Sequence, residues 1–224
     1  MRPESAGEDP PALEALLEML SEPGAPISKA TAPAARDIHL ADSLSGLEFP
    51  SLRRARRIAD LGSGAGLPGL VLAASLPDAH VDLIESVSRK CEFLHRAIER
   101  MDLTNATVVS RRSEDWAKAD GREAYDAVTA RAVGELATVA ELASPLLDEG
   151  GQLFAWKGRR SEDEETRLTR AADRIAMAPV EVRAVTPYPG SRDRHIHALR
   201  KNGPTPEGLP RRPGMAAKRP FGSE

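Results

Sequence analysis

Along most of the chain, short apolar runs alternate with stretches in which apolar residues recur at helical spacing. Residues 58–61 form one run, glycines follow it, and the apolar residues of the next stretch lie at helical spacing: Leu67, Leu70, Val71, Ala74 and Leu76. This pattern predicts a strand, a loop and a helix. The same reasoning predicts further strands at residues 80–84, 107–110, 125–130 and 152–156, and helices around Cys91–Ile98, at 136–147 and at 161–177.

The end of this pattern is different, because two strands follow each other without a helix. Residues 180–186 and 195–199 are separated only by the turn at 187–190. Alternating strands and helices indicate a mainly parallel sheet with helices on both faces. We therefore predict an α/β fold with seven strands, closed by an antiparallel hairpin. This is the Rossmann-like arrangement of S-adenosylmethionine-dependent methyltransferases, whereas dehydrogenase sheets usually continue with parallel crossovers.

The regular pattern covers residues 36–200, which we predict to be one methyltransferase domain. Residues 1–35 are rich in Ala, Pro, Glu and Ser, and they contain one short amphipathic stretch with Leu13, Leu16, Leu17 and Leu20 at helical spacing. The rest of this lead, from Ser21 onwards, is typical of a linker. Residues 201–224 contain five prolines and several basic residues, which predicts a tail without a core of its own.

Composition excludes several classes of protein. No apolar run approaches the length of a membrane span, and the acidic first residues do not resemble a secretory signal, so we expect a soluble cytoplasmic protein. The single cysteine, Cys91, cannot form an internal disulfide or a thiolate metal site on its own. We expect it to be a partly buried thiol in a helix, and we expect no metal.

The net charge of −3 hides an asymmetry along the chain. Residues 1–50 carry a net charge of −6, whereas the remainder carries +3. The basic residues of the remainder include clusters of arginines: Arg53, Arg54, Arg56, Arg57, Arg111, Arg112, Arg159, Arg160, Arg192, Arg194, Arg211 and Arg212. Paired arginines suit phosphate groups. Charge alone slightly favours the alternative that they are solvated loop ends.

The segment Asp60-Leu-Gly-Ser-Gly-Ala-Gly-Leu-Pro-Gly69 joins the first strand to the first helix of the domain. Glycines such as Gly62 and Gly64 allow a sharp turn and a close approach of the backbone to a ligand. The helix that follows directs unpaired N–H groups at the same place. The glycine spacing also satisfies the dinucleotide-binding pattern, so the loop alone leaves a nicotinamide or flavin site as an alternative.

Acidic residues on both sides of the loop favour S-adenosylmethionine. Asp60 precedes the first glycine, where a negative charge would repel a pyrophosphate but suits the cationic ammonium and sulfonium, directly or through water. Glu85 ends the second strand, where a carboxylate can accept hydrogen bonds from both ribose hydroxyls of either cofactor. The structural alternative for Glu85 is an exposed acid at the end of a strand.

Two later strand ends supply further candidates. Ser113 and Glu114 follow the third strand, where adenine is expected, so that a backbone N–H and an acceptor there can read the edge of the ring. Arg131 ends the fourth strand and faces the predicted cleft, where it can hold the methionine carboxylate or an RNA phosphate. Its structural alternative is a salt bridge to a nearby acid.

Taken together, these motifs resemble the bacterial 16S ribosomal RNA guanine-N7 methyltransferase G family, formerly called glucose-inhibited division protein B. The resemblance covers residues 36–220 and rests on the glycine loop together with Glu85-Ser, Arg112-Ser-Glu-Asp115, Ala130-Arg-Ala-Val133, Trp156-Lys-Gly158, Arg194-His195, His39-Leu-Ala-Asp-Ser-Leu44 and Pro204-Thr-Pro-Glu-Gly-Leu-Pro-Arg-Arg-Pro-Gly214. The family's longer N-terminal region, with a tryptophan and an Asn-Leu-Thr element, is replaced here by residues 22–31, so an RNA-facing element is expected to be shortened or disordered.

The resemblance implies S-adenosylmethionine as the cofactor and a guanine of 16S ribosomal RNA, or of the small ribosomal subunit, as the substrate. It implies cofactor contacts at Gly62, Leu67, Glu85, Ser113, Glu114 and Arg131. His39, Lys157 and Arg194 match the family and are candidates for substrate positioning, and Asp42 is a candidate helix cap. The alternatives are a non-RNA acceptor for the same fold, a nicotinamide-dependent oxidoreductase and a non-enzymatic RNA-binding module.

Guanine N7 has an available lone pair and no proton, so its methylation needs alignment rather than a general base. The sequence agrees with this chemistry, because we find no convincing catalytic base, no Ser/His/Asp arrangement and no metal cluster in it.

Overall fold

A computed structural model describes residues 11–27 and 34–223, except for the side chain of residue 37. Its centre is a seven-stranded sheet with the order β3-β2-β1-β4-β5-β7-β6. Strands β1 to β5 are parallel, whereas β7 is antiparallel to both β5 and β6. The strands are β1 (Arg57–Leu61), β2 (His80–Ile84), β3 (Ala106–Val109), β4 (Tyr125–Arg131), β5 (Leu147–Lys157), β6 (Met177–Ala184) and β7 (His195–Lys201).

Helices cover both faces of the sheet. They are α1 (Pro11–Ser21), α2 (Ala41–Leu44), α3 (Pro50–Arg54), α4 (Gly69–Ser75), α5 (Ser88–Arg100), α6 (Ser113–Trp116), α7 (Leu136–Ala143), α8 (Glu162–Ile175) and α9 (Met215–Lys218). A π-helical turn, Arg36–Leu40, precedes α2, and a 3₁₀ turn, Ser45–Glu48, follows it. None of these helices is both long and apolar enough to cross a bilayer.

The two hydrophobic clusters follow from the alternation of side chains along each strand. Ile58 belongs to the cluster under α1, α4 and α5, whereas its neighbour Ala59 belongs to the cluster under α7 and α8. Four of the five residues in β1, and four of five in β2, are buried. Such nearly continuous apolar strands are typical of a parallel sheet that is covered on both faces, and the predicted fold class is confirmed.

The amphipathic stretch near the start of the chain is a helix, as predicted. In α1 the side chains of Leu13, Leu16 and Leu20 are buried. Arg100, at the end of α5, donates hydrogen bonds to Glu18 and Glu22 at the exposed side of this contact. Part of the predicted linker, residues 28–33, lies outside the described residues, and so do residues 28–31 of the replaced N-terminal element at 22–31.

Two predicted boundaries were wrong around β5. The strand begins at Leu147, five residues earlier than predicted, because residues 148–151, which separate the predicted helix from the predicted strand, lie within the strand as an irregular stretch opposite Tyr125. Gly150 has φ +88° there, and Gly151 packs so closely against the β4 backbone that a Cβ would lie 3.0 Å from the Tyr125 oxygen. The preceding helix, α7, accordingly ends at Ala143 rather than at residue 147.

The proline-rich C-terminal residues, 201–223, fold back onto the domain. The side chain of Lys201 is fully buried, and its ammonium donates hydrogen bonds to Glu123, the Leu147 carbonyl and Thr205. The apolar residues of this segment pack onto α7 and α8. Leu209 and Phe221 join the same hydrophobic cluster as those two helices.

Candidate functional site

Two cavities open side by side along the carboxyl ends of the parallel strands, the usual location of ligand sites in open α/β sheets. The first, which we call the glycine-loop cavity, has a volume of about 220 Å³. Its walls are formed by Leu61, Gly62, Ile84, Glu85, Ser86, Arg111, Arg112, Ser113, Glu114, Val133, Thr138, Leu142, Gly214, Ala216 and Ala217. The cavity is therefore bounded by the ends of β1 and β2, by the loop after β3 and by part of the C-terminal segment.

The glycine loop brings bare backbone to this cavity. Gly62 has φ +68° and Gly64 has φ +56°, a region that residues with a Cβ rarely adopt. The Gly62 N–H donates to the Ile84 carbonyl at 2.9 Å, which ties the loop to the end of β2. Gly69 begins α4 so close to the sheet that a Cβ would lie 2.4 Å from the Leu83 side chain. The loop is thus held in place by a strand on one side and by a helix on the other.

Glu85 is buried at the end of β2 and lines the glycine-loop cavity. Its Oε1 accepts hydrogen bonds from the Ser86 and Val87 N–H groups at 2.8 and 2.9 Å. Its Oε2 accepts one from Gly64 N–H at 3.2 Å and lies 3.6 Å from the Lys90 ammonium. Because a carboxylate has about four acceptor positions, the bonds from Gly64, Ser86 and Val87 leave one such position, on Oε2.

Asp60 lies beneath the loop rather than on the cavity wall. It is 1% exposed, and its Oδ1 accepts a hydrogen bond from the Thr129 hydroxyl at 2.8 Å. Its Oδ2 has no hydrogen-bond partner among the described residues. Burial raises the pKa of this carboxyl, against the lowering effect of its hydrogen bonds with Thr129 and Ser63. Asp60 thus carries an unused buried acceptor below the loop, in no direct contact with the cavity.

Ser113 and Glu114 lie in the first turn of α6 and line the same cavity, on the side opposite the glycine loop. Both are buried, and the Ser113 hydroxyl donates to Glu114 Oε2 at 3.1 Å. Glu114 Oε1 accepts a hydrogen bond from the Gly214 N–H at 2.8 Å. Leu67, by contrast, is buried in the hydrophobic core and is not among the residues that line the cavity.

The second cavity, which we call the arginine cavity, has a volume of about 200 Å³. It is lined by Asp42, Arg131, Ala132, Gly134, Trp156, Lys157, Gly158 and Arg194. Three of these side chains are cationic, and the Trp156 ring supplies an aromatic surface. The cavity therefore suits an anionic or electron-rich planar ligand.

Arg131 lies between the arginine cavity and α2. Its Nη1 lies 3.2 Å from Asp42 Oδ2, so the expected alternative of a salt bridge to a nearby acid is present in the structure. Burial lowers the pKa of Arg131, and Asp42 opposes that effect. Asp42 lies inside α2, whose N-cap is Leu40, so the prediction of a helix cap was wrong. The carbonyl of Asp42 accepts the Trp156 indole N–H at 2.8 Å, and this bond fixes the ring.

The three residues proposed from the sequence to position the substrate gather around this cavity. Lys157 Nζ lies 2.8 Å from Glu164 Oε2 and donates to the Gly134 carbonyl at 3.0 Å. Arg194 donates to the Tyr188 hydroxyl at 3.2 Å. His39 lies behind Arg131, whose Nη1 is 3.5 Å from the His39 carbonyl. Burial, followed by the charge of Arg131, lowers the pKa of His39 and favours its neutral form.

Three consecutive residues after β4 separate the two cavities. Val133 lines the glycine-loop cavity, while Ala132 and Gly134 line the arginine cavity. Ala132 has φ +59°, a strained conformation for a residue with a Cβ, and such strain is concentrated at functional sites. Val133 also contacts the glycine loop, because a Cβ on Gly62 would lie 3.2 Å from Val133 Cγ2. A ligand in one cavity is therefore only one turn of backbone from a ligand in the other.

Sequence reasoning missed the cavity-lining roles of Trp156 and of the C-terminal residues Gly214–Ala217. Trp156 was part of a recognised motif, but nothing in its spacing showed that its indole binds α2. Within residues 11–27 and 34–223, His, Cys, Asp and Glu side chains form no cluster that could hold a metal ion. Cys91 is buried in α5, where its thiol donates to the Glu85 carbonyl, and the predicted structural thiol is confirmed.

Comparison with known proteins agrees with this geometry. The sequence model of the GidB family, described as rRNA small subunit methyltransferase G, matches residues 12–196. The chain is 36% identical over 195 residues to ribosomal RNA small subunit methyltransferase G of Syntrophomonas wolfei, a match covering 87% of this chain and 90% of that protein. The protein of the same name from Rubrobacter xylanophilus is 43% identical over 188 residues, covering 82% and 72%.

Among solved structures, an S-adenosylmethionine-dependent O-methyltransferase from Thermotoga maritima has a TM-score of 0.54 and 16% identity, covering 74% of this chain and 66% of its own. This likeness concerns the fold alone. The family resemblance drawn from the motifs is confirmed, and it decides between the two enzyme classes that the glycine loop left open, in favour of a methyltransferase. The chain belongs to the rRNA small subunit methyltransferase G family.

Proposed function

We propose that this chain transfers a methyl group from S-adenosylmethionine to N7 of a guanine in 16S ribosomal RNA. The observation that carries the proposal is the pair of cavities divided by residues 132–134, one beside a glycine loop and the other lined by cationic side chains. Such a pair suits a methyl donor in one cavity and a methyl acceptor in the other, with their reacting atoms meeting beside residues 132–134. The name of the family supports RNA of the small ribosomal subunit as the substrate.

The glycine-loop cavity fits the cofactor by the chemistry of its walls. Gly62 lines the cavity without a Cβ, Gly64 donates its N–H to Glu85 Oε2, and that oxygen keeps one acceptor position suited to a ribose hydroxyl. Ser113 and Glu114 lie across the cavity and suit the adenine end. When bound, S-adenosylmethionine supplies a methyl group on a positively charged sulfur. Asp60 Oδ2, which has no hydrogen-bond donor among the described residues, lies beneath the loop and suits a positive charge above it, through water or through the loop dipoles.

The arginine cavity is the proposed site of the target base. N7 of guanine carries no proton, so the chain has to hold the base in line with the methyl group rather than remove a proton from it. Trp156 offers a fixed ring for stacking, and Arg131 offers N–H donors for the guanine O6 or a phosphate. Lys157, Arg194 and His39 position these groups or bind the RNA backbone.

Because guanine N7 faces the deep groove of an RNA helix, the target base has to lie in a loop or leave the stack. Exposed arginines are available for the phosphates beside the target base: Arg112 lines the glycine-loop cavity, and Arg192 and Arg212 lie two residues from Arg194 and Gly214 in the chain. Arg112, Arg192 and Arg212 are exposed, and the described part of the chain provides no ion-pair partner for any of them. The proposed substrate belongs to the ribosome, so we propose that the chain works in the cytoplasm.

The test is methyl transfer by the purified chain with labelled S-adenosylmethionine. Small subunits and protein-free 16S RNA from cells lacking this methylation are compared as acceptors. The proposal expects one methyl group per RNA and no transfer to a protein or small-molecule fraction. Cofactor binding without any RNA methylation would refute the substrate, and strong transfer in the absence of RNA would favour the same fold acting on a different acceptor.

A further inference from the structure

The C-terminal segment reaches the glycine-loop cavity from far along the chain. Gly214, Ala216 and Ala217 form part of its wall, although the sheet ends at Lys201. The Gly214 N–H donates to Glu114 Oε1, and the Ala216 carbonyl accepts the Thr138 hydroxyl at 3.2 Å. Both partners, Glu114 and Thr138, also line the cavity. The segment is therefore bonded to two other walls of the same cavity.

An ion pair between Arg211 and Glu141 anchors this segment. Arg211 binds Glu141 through two parallel hydrogen bonds, with Nε at 2.6 Å from Oε1. The Glu141 side chain is 2% exposed, and every other side chain of α7 is apolar except that of Thr138. A buried carboxylate needs a fixed partner of this kind. Arg211 thus fixes the segment to α7 three residues before it reaches the cavity.

A second set of contacts, made by Phe221 and Gly222, holds the segment on the other side of the cavity-lining residues. The Phe221 ring lies between two guanidinium groups, with Arg174 and Arg211 both 4.0 Å from its centroid. Gly222 approaches α8 so closely that a Cβ would lie 2.1 Å from the Arg167 carbonyl oxygen. Residues 212–220 are therefore held at both ends, with α9 between the two anchors.

We propose that residues 214–217 form one wall of the S-adenosylmethionine site, at its adenosine end, and that Arg211 is a positioning residue for that wall. This inference rests on the proposed placement of the cofactor in the glycine-loop cavity. Ala216 and Ala217 present small side chains to the cavity, which leaves room for a purine beside Glu114. Cofactor affinity accordingly depends on a segment that lies outside the strands and helices of the central fold.

The test measures the dissociation constant of S-adenosylhomocysteine by calorimetry with the full chain. Ala217→Phe introduces a ring at the cavity wall, on an exposed residue, and we expect binding at least tenfold weaker. Lys218→Phe is the matched control, because Lys218 is the exposed neighbour that does not line the cavity. We expect this control to bind within twofold of the native chain, and both variants to keep its melting temperature.

Hydrogen exchange gives a second readout, in the native chain and in a variant of Arg211. S-adenosylhomocysteine should slow amide exchange in peptides covering residues 211–218, and Arg211→Lys, which loses the parallel pair of bonds, should reduce that protection. Unchanged exchange together with native-like binding by Ala217→Phe would overturn the inference. Gly62→Val distinguishes a failure of the proposed cofactor site from a failure of this inference. If Gly62→Val binds S-adenosylhomocysteine normally, the cofactor does not occupy the glycine-loop cavity. If Gly62→Val weakens binding and Ala217→Phe does not, only the role of the C-terminal wall fails.

Discussion

Replacing Glu85 by glutamine removes one carboxylate oxygen from the glycine-loop cavity while keeping the size of the side chain. In the native chain Oε1 holds the N–H groups of Ser86 and Val87, and Oε2 receives Gly64 N–H and faces the Lys90 ammonium. If the amide oxygen of the glutamine keeps the two bonds of Oε1, its NH₂ group takes the place of Oε2 and faces the Gly64 N–H and the Lys90 ammonium, which are both donors. The position that we assign to a ribose hydroxyl then has no acceptor.

The expected loss of cofactor affinity follows from the loss of this one hydrogen bond. A hydrogen bond to a charged acceptor contributes about 1.5–3 kcal/mol. Since about 1.4 kcal/mol corresponds to a factor of ten in affinity, Glu85→Gln should raise the dissociation constant of S-adenosylhomocysteine by about 10- to 150-fold. The assay is calorimetry at a temperature where the native chain and the variant are both folded, as monitored by circular dichroism.

Asp126→Asn is the matched control for this experiment. Asp126 Oδ2 also accepts two backbone N–H groups, from Arg56 and Arg57, but at the amino ends of β1 and β4, away from the cavities. The control should lower the melting temperature and leave cofactor affinity within twofold. Native-like affinity in Glu85→Gln would refute the assignment of Glu85, and equal loss of affinity in both variants would show that the effect is a general loosening of the sheet.

Three further predictions concern stability and acid sensitivity. Lys201→Met should lower the free energy of unfolding by about 2–3 kcal/mol in urea titrations, because the buried Leu147 carbonyl and Glu123 lose their donor; no change would show that the buried ammonium contributes nothing net. Glu123 has its pKa lowered from 4.5 to about 2, first by the hydrogen bond from Lys201, so its stabilisation is complete above pH 4.5 and is lost as the pH falls through 2. Glu123→Gln should therefore lose less stability than the native chain between pH 5 and pH 2, and parallel unfolding profiles would contradict this assignment. Trp156→Phe should cost about 0.5–1.5 kcal/mol, since the Asp42 carbonyl loses the indole donor but keeps the Ser45 hydroxyl, and the loss should be absent if water replaces the indole bond.

The sequence predicted most of the features that depend on local pattern. The buried runs of β1 and β2, the positive-φ positions of Gly62 and Gly64, and the antiparallel return of β7 all follow from short-range rules of burial and backbone sterics. Glu85 was also placed correctly at the cavity. Its three bonds with backbone N–H groups were not predictable, because they form only once the loop after β1 and the turn after β2 have folded beside each other.

Features that depend on distant partners were not predictable in the same way. Asp42 and Arg131 are 89 residues apart in the chain and meet only because the turns before β1 pack over the end of β4. The C-terminal segment has the composition of a disordered tail, yet Arg211 and Phe221 find partners on α7 and α8. One local signal was available: Glu141 is a lone acid within an otherwise apolar helix, and it requires a cation from elsewhere.

The central claim is that the acceptor is N7 of a guanine in small-subunit ribosomal RNA. The most direct test is mass mapping of the methylated nucleotide after reaction of the purified chain with undermethylated small subunits and with protein-free 16S RNA. The account predicts one added methyl group, on a single guanine, at N7. A methyl group on another atom, on another RNA, or on no RNA while the chain binds S-adenosylmethionine, would contradict it.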